Sequence, residues 1–455
     1  METIVLSTPE LGDRSYIVHD GQKALVIDPQ RDIKRVIEAA SDAGVEIVAI
    51  AESHMHNDYL TGGYELAALL GVPYLVNEKD TVAFERTGVF DGFEMKIGQL
   101  NLKVIATPGH TPTHISFEVT DTDGKGTIFS GGSLLYGSVG RPDLLGPELV
   151  DLFARSQYRS VNHLASTLPD DFAVAPTHGF GSFCSSNTCD VANDSTIGAE
   201  KAYNFALTIK DEDEFKKVLL DGLDEWPTYY AHMGPLNQEG PSSYFDSIPP
   251  LLSDEELSKV IKDGAFVVDL RDGEAFAAEH ITGTLALGVG NSFSAYFGWA
   301  YPWGEEIAFV ASNLSQVLEA KRQLARIGVE NVVGYTLFSR TNPEVLKRAT
   351  MELVTFPGLA QALAKQKAPI VDVRRRNENS ALSLPGAINI PVHRLFERYE
   401  ELDPIKDETI YVHCAGGYRS VFGASILKKL GFKVIAVRDS FTEEARNLVA
   451  SRLAA

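Results

Sequence analysis

One short segment of this chain is equipped for covalent chemistry: Cys414-Ala415-Gly416-Gly417-Tyr418-Arg419-Ser420. The apolar run Thr409-Ile410-Tyr411-Val412 precedes it, so Cys414 stands at a strand end. From near Ser420, the residues Phe422, Ile426, Leu427 and Leu430 keep helical spacing. A glycine-rich turn between strand and helix aims backbone N–H groups inward. With the helix dipole and Arg419, such a turn stabilises a thiolate and the anionic sulfur species it attacks. A buried structural cysteine is the bland alternative, common for the residue type. The flanking glycines and arginine argue against it.

A second set of reactive residues is spread over the N-terminal half. Ile47-Val48-Ala49-Ile50 reads as a strand that ends at Glu52-Ser53-His54, and His54-Met55-His56-Asn57-Asp58-Tyr59 follows. Later strands lead to Thr107-Pro108-Gly109-His110, to Phe129-Ser130-Gly131-Gly132 and to Val174-Ala175-Pro176-Thr177-His178. Loops at strand ends are where α/β folds place chemistry, and converging turns let imidazoles distant in sequence surround one ion. His114 carries no assignment. Cys184 and Cys189 follow His178 and read as inert thiols, with a pair or a pocket-lining role as the alternatives.

The elements around these residues alternate short β-branched runs with helical patterns, the signature of α/β layering. Leu25-Val26-Ile27-Asp28 reads as a strand, Ile33, Val36, Ile37 and Ala40 as one face of a helix, and Gly44 as its C-cap. In the second half Val268-Asp269-Leu270-Arg271 returns as Val371-Asp372-Val373-Arg374 (269 to 372, an offset of 103). The same offset maps Gly283 onto Gly386 and Gly328 onto Gly431. These are two copies of one domain. Carried back by that offset, Cys414 falls on Ala311 and Arg419 on Gln316, so the central copy lacks nucleophile and arginine alike. Trp226 to Pro250 reads as an extension or linker.

Bulk properties bound the rest. At 455 residues the chain exceeds one hydrophobic core, and 44% hydrophobic with 23% charged residues is ordinary for a soluble protein. A net charge of -21 argues against nucleic acid or an anionic membrane as partner. No apolar run approaches the ~20 residues of a membrane span, and the start lacks a secretory pattern, so a cytoplasmic location is expected. Three cysteines are too few for a disulfide scaffold. Oligomeric state is open, a homo-oligomer included.

Asp372-Val373-Arg374, Pro385-Gly386-Ala387-Ile388-Asn389-Ile390-Pro391 and the Cys414–Ser420 loop together resemble a rhodanese domain. The resemblance implies that Cys414 carries a persulfide between a sulfur donor and an acceptor thiol, with Arg419 and the loop amides steadying its charge. Related phosphatase loops carry their arginine six positions after the cysteine. Here that position is Ser420 and the arginine comes at five, so the loop suits sulfur. Asn379 and Ser383 stand where the family often has Trp and His, departures expected to affect packing and leave the chemistry intact. The central copy resembles the silent partner of tandem rhodanese pairs.

The histidines, with Gly140-Arg141-Pro142-Asp143, resemble the metallo-β-lactamase fold and its H-x-H-x-D-H signature. Two departures follow from that comparison. Tyr59 replaces the last histidine, and Gly132 stands where G-D-x-L would supply a carboxylate. What the resemblance leaves is a site of His54, His56 and His110 with an open position, Asp58 and His178 as weak or outer ligands, and one Fe or Zn ion. Asp143 reads as structural.

The whole chain is similar to fused persulfide dioxygenase–rhodanese enzymes, whose iron is held at positions matching His54, His110 and Gly132. The expected architecture is α/β multidomain: a metallo-β-lactamase αββα sandwich over 1–240, a silent rhodanese-like domain over 251–345 and an armed one over 352–455. Sulfane-sulfur transfer is the expected activity, with a low-molecular-weight thiol or persulfide and a thiosulfate-like donor as partners. A metal-dependent hydrolase of thioesters or lactones and a non-enzymatic sulfur carrier or sensor are the alternatives.

Overall fold

The computed structural model describes residues 1–185, 194–244 and 247–453, and Cys189 lies outside them. The chain divides into two compact units with a boundary near residue 245, residues 324–329 counting with the first.

Apolar runs in the first unit are buried from both sides. In the strand Lys23–Ile27, Leu25 and Ile27 face one core while Ala24 and Val26 face another. A strand covered on both faces needs apolar residues at every position. Its sheet has six strands in chain order, Glu2–Thr8, Asp13–His19, Lys23–Ile27, Glu46–Ala51, Tyr74–Asn77 and Thr87–Val89. The second sheet runs Ser195–Thr196, Ala173–Pro176, Gly126–Gly131, Ile115–Thr120, Leu100–Ala106, Glu94–Ile97. Between the sheets Leu25, Ile27 and Leu75 meet Leu102, Phe117 and Phe129. Fully buried side chains of this size contribute roughly 1.5–3 kcal/mol each.

Helices close both outer faces. Val36 and Ala40 of Lys34–Asp42 and Leu66 of Gly63–Leu70 pack on Val26, Ile50 and Val76. Val161 and Leu164 of Val150–Thr167 pack on Ile128 and Val174. This is the αββα sandwich. Leu100–Ala106, Gly126–Gly131 and Ala173–Pro176 run the same way, because Ile115–Thr120 is antiparallel to the first two and the last pairs parallel with Gly126–Gly131. Their C-terminal ends therefore open on one edge, which carries His110, Gly132 and His178.

The stretch read as a linker is partly helical. Tyr230–Glu239 forms a helix, and its Asn237 amide donates to the His56 and Tyr59 carbonyls, both at 2.9 Å, and accepts from the Thr61 N–H at 3.0 Å. Pro235 inside it masked the periodicity.

In the second unit the internal repeat becomes two parallel sheets of the same order. One is Leu285–Ala286, Phe266–Asp269, Ile307–Ala311, Val332–Leu337. The other is Ile388–Asn389, Ile370–Asp372, Thr409–His413, Lys433–Val437, with Glu352–Val354 added at its edge. Arg271 grips Asp269 and Arg374 grips Asp372 through the same pair of guanidinium nitrogens, both at 2.6 Å for the shorter bond. Among the described residues no helix is long and apolar enough to cross a membrane.

Candidate functional site

Cys414 follows the strand Thr409–His413 and is buried. The helix Tyr418–Lys429 begins two residues earlier than its apolar spacing indicates, because Gly417 turns the chain at φ 95°. That turn points the Gly417 N–H at Cys414 Sγ, 3.1 Å away. A side chain at 417 would meet Arg438 Cγ at 2.6 Å, so space and backbone both require glycine. Ala415 and Gly416 are exposed, and the Ser420 hydroxyl ties the helix start to the Val437 carbonyl at 2.6 Å. The Tyr418 hydroxyl donates to the Gly288 carbonyl of the central copy at 2.7 Å.

Arg419 already has a carboxylate partner in this structure. Its guanidinium is engaged by Glu378, Nη1 to Oε2 at 2.5 Å and Nη2 to Oε1 at 2.7 Å, and Tyr296 lies beneath it. A two-pronged carboxylate neutralises the cation, so the group that meets the sulfur in this structure is the Gly417 amide. Asn379 is also spoken for, donating to Asp372 Oδ2 at 2.9 Å. Beside the loop opens a cavity of about 430 Å³, walled by Gly416, Gly417 and Arg438 on one side and Asn291, Ser292 and Gln316 of the central copy on the other.

In the first unit the histidines converge. His54 Nδ1 lies 2.9 Å from Ser53 Oγ, and its Nε2 is 3.3 Å from His178 Nε2. His178 Nδ1 is gripped by Asp13 at 2.9 Å and Asp58 at 3.1 Å. His110 Nδ1 meets the Arg141 carbonyl at 2.8 Å. A carbonyl only accepts, so Nδ1 carries the hydrogen and Nε2 keeps a lone pair. His56 Nε2 faces Glu52 at 3.1 Å, Asp28 at 3.4 Å and the Tyr59 hydroxyl at 2.9 Å.

Burial, then the neighbouring charge on His178, pushes His110 down to about 3. Burial and His56 likewise hold His54 well below the usual imidazole range. For His56 burial is outweighed by the Asp28 and Glu52 carboxylates, which lift it to about 9. Asp58 and Asp13 hold His178 well above its ordinary value in the same way.

Four polar atoms here are buried without a hydrogen-bond partner: Asp13 Oδ2, His56 Nδ1, Asp58 Oδ1 and His110 Nε2. Each such atom costs about 1–3 kcal/mol unless a ligand meets it. Nitrogen and carboxylate donors of this kind suit an iron or zinc ion. His54, His56 and His178 bring ligand atoms within 4.8 Å of one another, and so do His110, His178 and Cys184. His178, expected at the periphery, thus belongs to both groups. Asp13 places it there from the start of a strand far upstream, and no local pattern in the sequence marked that residue.

Other residues prove supportive. His114 Nε2 accepts the Gly132 N–H at 2.9 Å and its Nδ1 lies 2.8 Å from Thr107 Oγ1. Asp143 is bound by Arg141 at 2.7 and 2.8 Å. A Cβ at Gly132 would lie 2.2 Å from His110 Cδ2, so His110 occupies the space a side chain there would need.

A metallo-beta-lactamase superfamily model matches residues 10–178, and a rhodanese-like domain model matches residues 356–445. The chain is a fusion of these two domain types. The rhodanese-like match includes Cys414 and Glu378; the central copy is outside it. Over the metallo-β-lactamase part the chain is 29% identical to human mitochondrial persulfide dioxygenase ETHE1 across 210 residues, 46% of this chain and 74% of that protein. It is 31% identical to the hydroxyacylglutathione hydrolase of Albidiferax ferrireducens across 165 residues, 36% of this chain and 61% of that protein. A crystal structure described as a metallo-β-lactamase from Staphylococcus aureus superposes with a TM-score of 0.65 at 28% identity, covering 74% of this chain and 98% of that one. That likeness extends well past residue 178.

Proposed function

We propose that this fusion is a sulfur-metabolism enzyme whose rhodanese-like domain transfers sulfane sulfur through a persulfide on Cys414. The observation that carries the reading is the Gly417 N–H aimed at Cys414 Sγ from the start of a helix. An amide and a helix N-terminus stabilise negative charge on sulfur in both the thiolate and the persulfide.

The Cys414 thiolate attacks the outer sulfur of a thiosulfate-like donor. A new S–S bond forms at Cys414, the donor's S–S bond breaks, and sulfite leaves with the electron pair. An acceptor thiolate then attacks the outer sulfur of Cys-S-S⁻, and Cys414 departs as thiolate. The cavity beside the loop has room and polar groups for a low-molecular-weight thiol. Arg419, held by Glu378, acts by keeping the loop in shape. The central copy, with Ala311 at the strand end matching Cys414, walls the cavity and does no transfer of its own. The domain limits that go with this reading are 1–240, 251–345 and 352–455.

The N-terminal domain would hold an iron or zinc ion through His54, His56, His110 and His178 with Asp58 nearby, and the ion would supply Lewis acidity and, as iron, redox chemistry. Asp13 and Asp58 orient His178, the Arg141 carbonyl fixes the His110 tautomer, and Glu52 and Asp28 orient His56. The similarity to a persulfide dioxygenase favours a thiol persulfide as substrate. The similarity to a hydroxyacylglutathione hydrolase supports thioester hydrolysis as the second reading, and the glycine at 132 weighs against it. Transfer from thiosulfate to a small thiol should vanish in Cys414→Ser; transfer at the original rate would refute the assignment. Oxygen uptake on a thiol persulfide, set against thioester cleavage, separates the two N-terminal readings.

A further inference from the structure

Cys184 was read from the sequence as an inert thiol. In the structure it is fully buried, and its Sγ lies with ligand nitrogens of His110 and His178, all within 4.8 Å of one another. Asp58 bears on the same His178, its carboxylate 3.1 Å from Nδ1. The Cys184 hydrogen bond to the Tyr230 hydroxyl is long, at 3.8 Å. His110 Nε2 in this cluster, and Asp58 Oδ1 in the neighbouring cluster that shares His178, are buried with no hydrogen-bond partner.

The backbone fixes Cys184 beside His110. The Arg141 N–H donates to the Cys184 carbonyl at 2.9 Å, and the Arg141 carbonyl accepts from His110 Nδ1 at 2.8 Å. One residue therefore ties the backbone at Cys184 to the His110 ring. The Cys184 N–H is in turn anchored on Ser182 Oγ at 3.2 Å. Gly132, which also abuts the His110 ring, offers no ligand atom and no room for one.

We propose that Cys184 is a metal ligand, closing with His110, His178 and Asp58 a thiolate–imidazole–carboxylate site for a divalent ion of the zinc, iron and cobalt class. Two nitrogens, one sulfur and one oxygen make a four-coordinate donor set of the kind such ions take. On binding, the ion replaces the thiol proton, which leaves to solvent; a sulfur–metal bond forms and nothing is oxidised. The thiolate thereby makes good the charge that Gly132 cannot supply. This inference rests on the reading of the N-terminal domain as a metal site.

The test uses the full chain, stripped with a chelator and titrated with Co(II) alone. Thiolate-bound Co(II) shows an intense near-ultraviolet charge-transfer absorption that imidazole and carboxylate ligands do not produce. That band is expected in the wild type and in the double variant Cys189→Ser/Cys414→Ser, whose one remaining thiol is Cys184. Cys184→Ser should lose it and bind cobalt at least tenfold more weakly. The double variant decides the matter even if Cys184→Ser fails to fold. Cobalt uptake without the band, or a band that disappears in the double variant, would overturn the assignment of Cys184. An absence of cobalt uptake would overturn the metal reading beneath it as well.

Discussion

The Arg419 guanidinium closes on the Glu378 carboxylate through two hydrogen bonds of 2.5 and 2.7 Å, both groups largely buried. The arginine that the loop's spacing offered to substrate is thus committed to a neighbour from the helix Arg376–Ala381.

Acid should expose this pair. Burial alone would raise the Glu378 carboxyl, but its bonds and charge contact with Arg419 bring it down to about 2 from the usual 4.5. A depressed carboxyl lends stability that is present above 4.5 and is lost as pH falls toward 2. Thermal melts of wild type and Glu378→Gln should differ by roughly 1–3 kcal/mol at neutral pH, the scale of hydrogen bonds to charged groups. The gap should narrow below about pH 4.5. A constant difference down to pH 3 would show that the pair does not respond to protonation.

Gly417→Ala forces a Cβ into left-handed backbone and against Arg438 Cγ. The expected cost is about 1–3 kcal/mol in unfolding free energy. Sulfur transfer should fall at least tenfold, because the amide that meets Cys414 Sγ moves. Gly431→Ala, in left-handed backbone at φ 91° but outside the loop and its cavity, serves as the matched control and should transfer at close to the wild-type rate.

Installing a carboxylate by Gly132→Asp should not add a ligand to the proposed N-terminal metal site. The new Cβ would lie 2.2 Å from the His110 ring, and that ring is pinned by its bond to the Arg141 carbonyl. Overpacking of this kind costs about 1–3 kcal/mol. Lower metal content and a lower melting temperature are expected. A variant that binds more metal with unchanged stability would contradict this.

Asn237→Ala removes three hydrogen bonds from the loop that carries His56 and Asp58. Leaving two carbonyls and one N–H buried without partners should cost about 2–4 kcal/mol in denaturant unfolding. Metal affinity should drop with it, although Asn237 is not among the proposed ligands. Unchanged metal binding would mean that the loop holds its shape without the helix Tyr230–Glu239.

How much of this was legible follows from distance along the chain. The α/β layering could be read because strands covered on both faces are continuous apolar runs, as in Lys23–Ile27, while the αββα order of the layers came from the resemblance to the metallo-β-lactamase fold. The repeat could be read because the Asp–Arg pairs, Asp269 with Arg271 and Asp372 with Arg374, are two residues apart and recur in register. Asn237 could not be read. Its partners lie some 180 residues away, and Pro235 hides the helix that presents it. Asp13 was invisible for the same reason, its partner His178 lying 165 residues away, whereas Cys184, close after His178, was weighed as pocket-lining and read as inert.

Taken alone, the sequence determined the Cys414 loop, because strand end, cysteine, glycines and helix start are consecutive in the chain and need only local geometry to come together. It also determined which histidines lie at strand ends. The tertiary structure decided what those groups face: Glu378 across Arg419, Asp13 and Asp58 on His178, Cys184 beside His110. Contacts of that kind depend on which strand ends share an edge and how close two backbones come. Packing of the whole domain sets those distances, and residue spacing does not encode them.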